Sequence, residues 1–327
     1  MLNNKSVLIT GGTGSFGKKF ISTVLNKFKL KEIIVFSRDE LKQFEMRELF
    51  PTDKFPIKYF IGDVRDRDRL FRITHGVDFI IHAAALKQVP TAEFNPFEAV
   101  KTNVIGGQNV IDSAMETGVE KVIFSSSACV YPTKLQNEIG SSYKLKESDS
   151  DPENLDGYLS ADVEYGWAKL MSEVQMNSFQ KQFGLKGCPV RFVTAYGPRE
   201  NETHAIIALI YKAVEHMDPY EIWGDGQQER DFTYVEDIID GTVLCAEKIS
   251  DMTPVNLGTG KRYKMIDVAN MIFRTLGWTP KNIAFDTSKP TGAVSRALDN
   301  TRAKELLGWE PKYDLENGLR ETIDWYI

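Results

Sequence analysis

Residues 6–17 read SVLITGGTGSFG: an apolar strand, a glycine-rich turn, and the start of the amphipathic stretch Gly17–Phe28. Gly11, Gly14 and Gly17 stand as G-x-x-G-x-x-G. So tight a turn needs a residue tolerant of unusual φ. Close approach of a pyrophosphate needs bare backbone, and a helix N-terminus supplies N–H donors and a positive dipole end. The motif is specific because it sits between a strand and a helix at the start of a βαβ unit. The plainer alternative is a glycine-rich turn that holds nothing.

Outward from this stretch the pattern repeats. Ser6–Thr10, Glu32–Phe36, Ile57–Ile61, Asp78–His82 and Lys121–Ser125 are short, continuous and apolar, and Ala99–Thr117 is a longer amphipathic stretch. Buried strands alternating with helices predict an α/β fold, a doubly wound parallel sheet of the Rossmann kind with a smaller C-terminal lobe. From about Pro198 the order is irregular, with a helix expected at Ala205–Glu215, a strand at Tyr220–Trp223 and a helix at Glu236–Lys248. We therefore expect a dinucleotide-binding domain over 1–190 and a substrate lobe over 191–327, interleaved with it. Asn137–Leu159 is polar and long for a structureless connection, which predicts a functional loop or lid.

The composition is that of a globular protein. The 327 residues are 42% hydrophobic and 26% charged, with a net charge of −6, which argues against nucleic-acid binding through overall charge. No apolar run reaches the ~18 residues of a membrane span. The opening MLNNKSVLIT lacks a signal-peptide layout, and Cys129, Cys188 and Cys245 show no metal or disulfide spacing, so a cytoplasmic, metal-free protein is expected.

The second strand ends in Ser37-Arg38-Asp39, where NAD sites usually place an acid for the ribose hydroxyls. A neutral hydroxyl beside a guanidinium suits a 2′-phosphate, so the sequence favours NADP. The alternative is that Arg38 stacks on adenine or pairs with a surface acid while Asp39 holds the ribose, giving NAD. Asp63-Val64 after the third strand and Ala83-Ala84-Ala85 after the fourth are further cofactor candidates, or plain turns.

Tyr165 and Lys169 have Y-x-x-x-K spacing, which puts both on one helix face. There the ammonium can lower the phenol pKa and leave a base for a hydroxyl proton. With Ser125-Ser126-Ser127 after the fifth strand, they complete a Ser–Tyr–Lys set. At this point the chain resembles, over nearly its whole length, the extended short-chain dehydrogenase/reductase superfamily and its nucleotide-sugar epimerase/dehydratase branch. The resemblance implies that Tyr165 is the base, Lys169 its partner and Ser127 the proton relay. It implies that Thr13, Ser15, Phe16, Lys87 and Asn103 join the residues above at the cofactor. Arg230, in RDFTYVED, and Arg296, in GAVSRALD, resemble diphosphate-binding arginines, and KELLGWEP resembles the branch's closing helix. Thr194, in RFVTAYGP, stands where many relatives carry a substrate-binding Asn.

Two subfamilies are visible. TGGTGSFG, SRDELKQFEM and HAAALKQVP in the N-terminal third resemble inverting UDP-N-acetylglucosamine 4,6-dehydratases, a group that generally uses NADP. That group carries Asp-Lys where this chain has Ala128-Cys129, and alanine does no acid–base work. SSACVYP (Ser126–Pro132) instead resembles GDP-mannose 3,5-epimerase, in which the matching cysteine acts on the ring carbons. A C4 ketone acidifies the C3 and C5 protons, so a thiolate and a facing acid can invert those centres. The second acid–base position of that family, a lysine, falls here on His204. Cys129 is alternatively only a small residue, and His204 a cap or a ligand for a substrate hydroxyl.

The expectation is an NADP-dependent epimerase of a UDP- or GDP-hexose, inverting C4 or C3/C5 after transient C4 oxidation. A 4,6-dehydratase is the rival, and a non-catalytic dinucleotide sensor the third reading. Relatives are often dimers, so the resemblance also implies a homodimer through the Ala99–Thr117 and Tyr165–Phe183 helices.

Overall fold

The computed structural model describes residues 2–87, 94–151 and 161–327. Its strands are β1 (Ser6–Thr10), β2 (Glu32–Ser37), β3 (Ile57–Ile61), β4 (Phe79–His82), β5 (Lys121–Ser127) and β6 (Gly187–Phe192). There follow β7 (Thr194–Tyr196), β8 (Tyr220–Trp223), β9 (Glu229–Arg230), β10 (Phe232–Tyr234), β11 (Val255–Leu257), β12 (Tyr263–Lys264), β13 (Ile283–Asp286) and β14 (Ser295–Arg296). Seven form one sheet in the order β3-β2-β1-β4-β5-β6-β11, every pairing parallel. The order reverses between β1 and β4, which opens a crevice at the carboxyl ends of these strands.

The continuous apolar runs are buried because helices cover both faces. Ser15–Lys27 lays Phe20, Ile21 and Val24 into one core cluster, and Gly106–Thr117 lays Val110, Ile111 and Ala114 into the other. β3 departs from the expected pattern: Ile57 is buried but Ile61 is exposed. It is the end strand of the sheet, with no neighbour beyond it among the described residues. β5 runs two residues further than expected, which carries Ser126 and Ser127 out to the sheet edge. The Ala99–Thr117 stretch is two helical segments, Pro96–Val100 and Gly106–Thr117, joined by a π-helical turn at Lys101–Ile105.

The second half is woven into the first. Strand β11 closes the main sheet, and the Val235–Lys248 helix contributes Val235, Ile239, Val243 and Cys245 to the core that also holds β1. The remaining strands form small sheets, β12-β9-β14 among them, beside the crevice. The expected lid is a fixed arm in its described part, residues 137–151; 152–159 lie outside the described residues. Gly140 N–H donates to Glu229 at 3.0 Å, Leu145 bridges to Leu298, and Arg262 donates to the Tyr143 carbonyl. Leu145 also exchanges backbone hydrogen bonds with Ala297 and Asp299 of the second lobe.

The first helix packs tightly on the glycine turn at Gly17, where an added Cβ would lie 2.2 Å from the Gly12 carbonyl oxygen. Gly17→Ala should therefore cost about 2–4 kcal/mol, read as a lower urea midpoint with unchanged m-value.

Candidate active site at the carboxyl edge of the sheet

The glycine turn divides into structural and open positions. Gly11 has φ +69° and packs 2.8 Å, by its hypothetical Cβ, from the backbone of Ala84, so small residues at 83–85 already serve the fold. At Gly14, by contrast, an added Cβ would approach nothing in the protein closer than 3.6 Å. Gly14 caps the Ser15–Lys27 helix without any side-chain cap bond. The fold alone does not need glycine there, whereas a pyrophosphate on that helix end does. These residues fit a dinucleotide.

At the ribose end, Ser37 is approached by Thr13 (3.3 Å) and Gln43 (3.4 Å). Asp39 is spent as the N-cap of the Glu40–Leu49 helix, accepting from Lys42 N–H at 2.9 Å. Arg38 is half exposed and 3.5 Å from Asp63, whose carboxylate is held mainly by Arg65. The Val64 side chain is buried, and Asn103 turns both ends of its amide to the backbone of Leu86, at 2.7 and 2.9 Å. Asn103 thus steadies the segment carrying Ala83–Ala85.

Lys169 is buried at the end of β5. Its ammonium donates to the Ser125 carbonyl at 2.6 Å and lies over the Phe124 and Tyr165 rings, 4.5 and 5.6 Å from their centroids. Burial pushes Lys169 down to about 7, opposed by Glu173 and Cys129 and aided by Lys87. The Tyr165 phenol is pushed up by burial and by Cys129, against a hydrogen bond with Ser127. Spacing alone suggested a phenol lowered by its lysine. The structure brings Ser127, Tyr165 and Lys169 together but directs the ammonium to a carbonyl, so burial outweighs it at the phenol.

Cys129 follows directly, half-buried, its N–H on Ser127 Oγ at 3.1 Å. A Cβ on Gly166 would lie 2.1 Å from the Cys129 carbonyl oxygen, so glycine lets this segment pack against the helix bearing Tyr165. Arg296 donates to Cys129 Sγ at 3.4 Å, to Asp162 at 2.5 Å and to Gln136. Burial opposes the charge of Arg296, but Cys129 and Asp162 more than restore it. Arg230, its register partner on β9, has a different environment. Its hydrogen bonds go to the carbonyls of Glu229, Val294 and Thr291, and burial and Arg296 push it down to about 10. Arg296 has a carboxylate on it; Arg230 is bonded to none among the described residues, which leaves its charge for an anion.

His204 meets Glu200 at 2.9 Å. Glu200 also accepts from Ser15 Oγ at 3.0 Å and lies 3.6 Å from Lys87, so His204 stands beside the glycine turn. Although buried, Glu200 is lowered to about 2 by His204 and Lys87. Thr194 begins β7, half-buried. Asp162, Glu200, Gln136 and Arg262 escaped the sequence reading because no motif marks them. Glu173 was legible, four residues beyond Lys169 on the same face. Among the described residues no group of His, Cys, Asp or Glu forms a metal cluster, and no helix is long and apolar enough to cross a membrane.

A parallel sheet with Ser127, Tyr165 and Lys169 gathered at its carboxyl edge has the geometry of a Rossmann-like α/β fold with a candidate site at its switch point. Residues 7–258 match the NAD dependent epimerase/dehydratase family, and the chain belongs to it. It is 31% identical to GDP-mannose 3,5-epimerase 1 of Oryza sativa subsp. japonica over 326 residues, 98% of this chain and 81% of that protein. It is 55% identical to an inverting UDP-N-acetylglucosamine 4,6-dehydratase of Campylobacter jejuni over 127 residues, 39% of this chain and only 37% of that protein's length. Its fold matches UDP-glucose 4-epimerase of Thermotoga maritima, solved with UDP-glucose, at a TM-score of 0.85 and 25% identity over 98% of each chain. The family and both resemblances read from the motifs are therefore found again in the relatives.

Two variants test the site. Gly14→Ala should weaken dinucleotide binding roughly tenfold or more while moving stability by less than about 0.5 kcal/mol, measured by calorimetric titration and urea unfolding. Lys169→Met should lower turnover by about 10²–10⁴ yet raise Tm. Below about pH 7 folded and unfolded chains both hold the Lys169 proton, so the cost of burying the charge is present in full. Between about 7 and 10.5 the unfolded chain binds more protons, and the native protein recovers that stability as pH rises. The gain in Tm should accordingly be larger at about pH 6 than at about pH 9.

Proposed function

We propose that the protein is a nucleotide-sugar epimerase that oxidises C4 of an NDP-hexose transiently and inverts C4 or C3/C5. A dinucleotide held at Gly11, Gly14 and Gly17 would supply a reversible hydride acceptor. Tyr165 in its phenolate form takes the C4 hydroxyl proton through its contact with Ser127, and the Lys169 ammonium over its ring opposes the phenolate charge. The observation that carries the reading is the Ala128-Cys129 pair. The backbone N–H of Cys129 donates to Ser127 Oγ and its thiol lies 3.4 Å from an arginine nitrogen, while the position that would carry a dehydratase's acid is alanine. Once C4 is a ketone, Cys129 as a thiolate removes a proton from an adjacent ring carbon, and His204, oriented by Glu200, delivers one to that carbon.

Arg230 receives the nucleotide diphosphate, because its charge faces no bonded carboxylate among the described residues. Arg296 adds a phosphate contact by sharing its bond to Asp162. NADP is favoured over NAD, since Ser37 is neutral and Asp39 is committed to capping. A homodimer is supported by the exposed apolar residues Val100, Ile105, Trp167, Met171 and Val174 on the two stretches expected to pair, with Phe97 just before the first. Three free cysteines suit a reducing, cytoplasmic setting. The second reading is a 4,6-dehydratase, favoured by the 55% identity over 127 residues to such an enzyme.

Proton NMR of products formed in heavy water from UDP- and GDP-hexoses separates these readings. The proposal expects an inverted hexose carrying deuterium at C3 or C5, and Cys129→Ala should reduce that exchange by about 10² or more without weakening dinucleotide binding. Inversion at C4 without deuterium would leave Cys129 a bystander. A new C6 methyl signal would replace the epimerase reading with the dehydratase.

A further inference from the structure

Three consecutive residues at the end of β5 grip three residues spaced four apart on one helix face. The Ser125 carbonyl accepts from Lys169, Ser126 Oγ donates to Glu173, and Ser127 hydrogen-bonds Tyr165. The first and third contacts belong to the redox trio. The middle one touches neither substrate nor cofactor in any reading above.

Glu173 is held from two neighbouring strands. Ser126 on β5 is the register partner of Arg191 on β6, and both reach the same carboxylate. Arg191 binds it through two nitrogens, at 3.1 and 2.6 Å, and spends its third on the Tyr131 hydroxyl and the Glu147 carbonyl, both at 3.1 Å. Ser126, Glu173 and Arg191 are all buried. A buried ion pair is a poor source of stability, because desolvation offsets the attraction, whereas a fully satisfied one fixes geometry. This one fixes the helix to the sheet one turn beyond Lys169 and two turns beyond Tyr165, about 6 and 12 Å along the axis.

We propose that Glu173, clamped by Ser126 and Arg191, is a positioning residue for the redox step: it sets the rotation and axial register of the helix that presents Tyr165 and Lys169, and keeps an anion beneath the Lys169 ammonium. The inference rests on the reading of Ser127, Tyr165 and Lys169 as the redox trio, and is independent of which sugar carbon is inverted. The groups that act on the Lys169 charge are Glu173 and Tyr165 from its own helix, Cys129 after β5, Lys87 after β4, and the neutral His82 on β4. Glu173 is the anion that most opposes the effect of burial there.

The test uses the full-length protein with a sugar nucleotide that it turns over. Two variants are needed: Ser126→Ala, which removes only the hydroxyl, and the double variant Glu173→Leu/Arg191→Met, which exchanges the ion pair for apolar side chains of similar length and so leaves no buried charge alone. Both are expected to lower kcat by roughly 10–100-fold, with KM and dinucleotide affinity changed less than about twofold. In the double variant the alkaline limb of the kcat–pH profile should move down by about one unit, since Lys169 loses its anion. Unchanged kcat and an unmoved limb in folded variants would overturn the proposal and leave the clamp merely structural. If the double variant does not fold, kcat of Ser126→Ala decides alone. Tyr165→Phe is the control: should it turn over like the native protein, the trio itself is wrong and the failure lies with the functional reading.

Discussion

Lys169 carries a charge into the interior at the carboxyl end of the sheet, and much of the site is arranged around that fact. Burial opposes the ammonium, so every contact that keeps it in place has to be built in: a carbonyl at the end of β5, two aromatic faces, and Glu173 one turn along the helix. A surface lysine could adopt many rotamers. This one is restricted to a single direction, and the direction points its helix at Ser127 and Cys129. β5 extends past its apolar segment to present the Ser125 carbonyl and Ser127 to this helix, and glycine stands at 166, where the Cys129 carbonyl presses against it.

Around this point the two halves of the molecule contribute unlike chemistry. The first half offers bare backbone and a helix end, open at Gly14 and closed at Gly11 and Gly17. The second half brings two arginines on adjacent strands, β9 and β14, of which one is neutralised by Asp162 and the other is not. Two guanidinium groups in register repel. The arrangement is relieved on one side by a carboxylate from the protein, and an anionic ligand would relieve the other. Two copies of the same residue type thus sit side by side in unlike surroundings, one on a carboxylate and one on backbone carbonyls.

Much of this was legible in the chain. Strand–helix alternation gave the sheet, because buried parallel strands have to be continuous and apolar. Glycine spacing gave the turn, and a spacing of four gave Tyr165 and Lys169. What sequence could not supply was partnership across long separations. Arg230 and Arg296 look alike as text, and only contacts 134 to 167 positions away distinguish Arg296. The polarity and length of Asn137–Leu159 point to a loop or lid, but not to the contacts that residues 140–145 make with the second lobe. Edge position is likewise invisible, so β3 read as an interior strand. Glu173 sits on the face already singled out, but its meaning depends on Ser126 and Arg191, brought together only by the sheet register.

The claim beneath the whole account is that this site removes hydride from C4 of a nucleotide sugar. The direct measurement is turnover of a UDP- or GDP-hexose deuterated at C4, following the label in both sugar and bound dinucleotide. The account predicts a primary isotope effect on the first oxidation and transient deuterium on the nicotinamide ring. Turnover with no isotope effect and no label ever reaching the dinucleotide would contradict it.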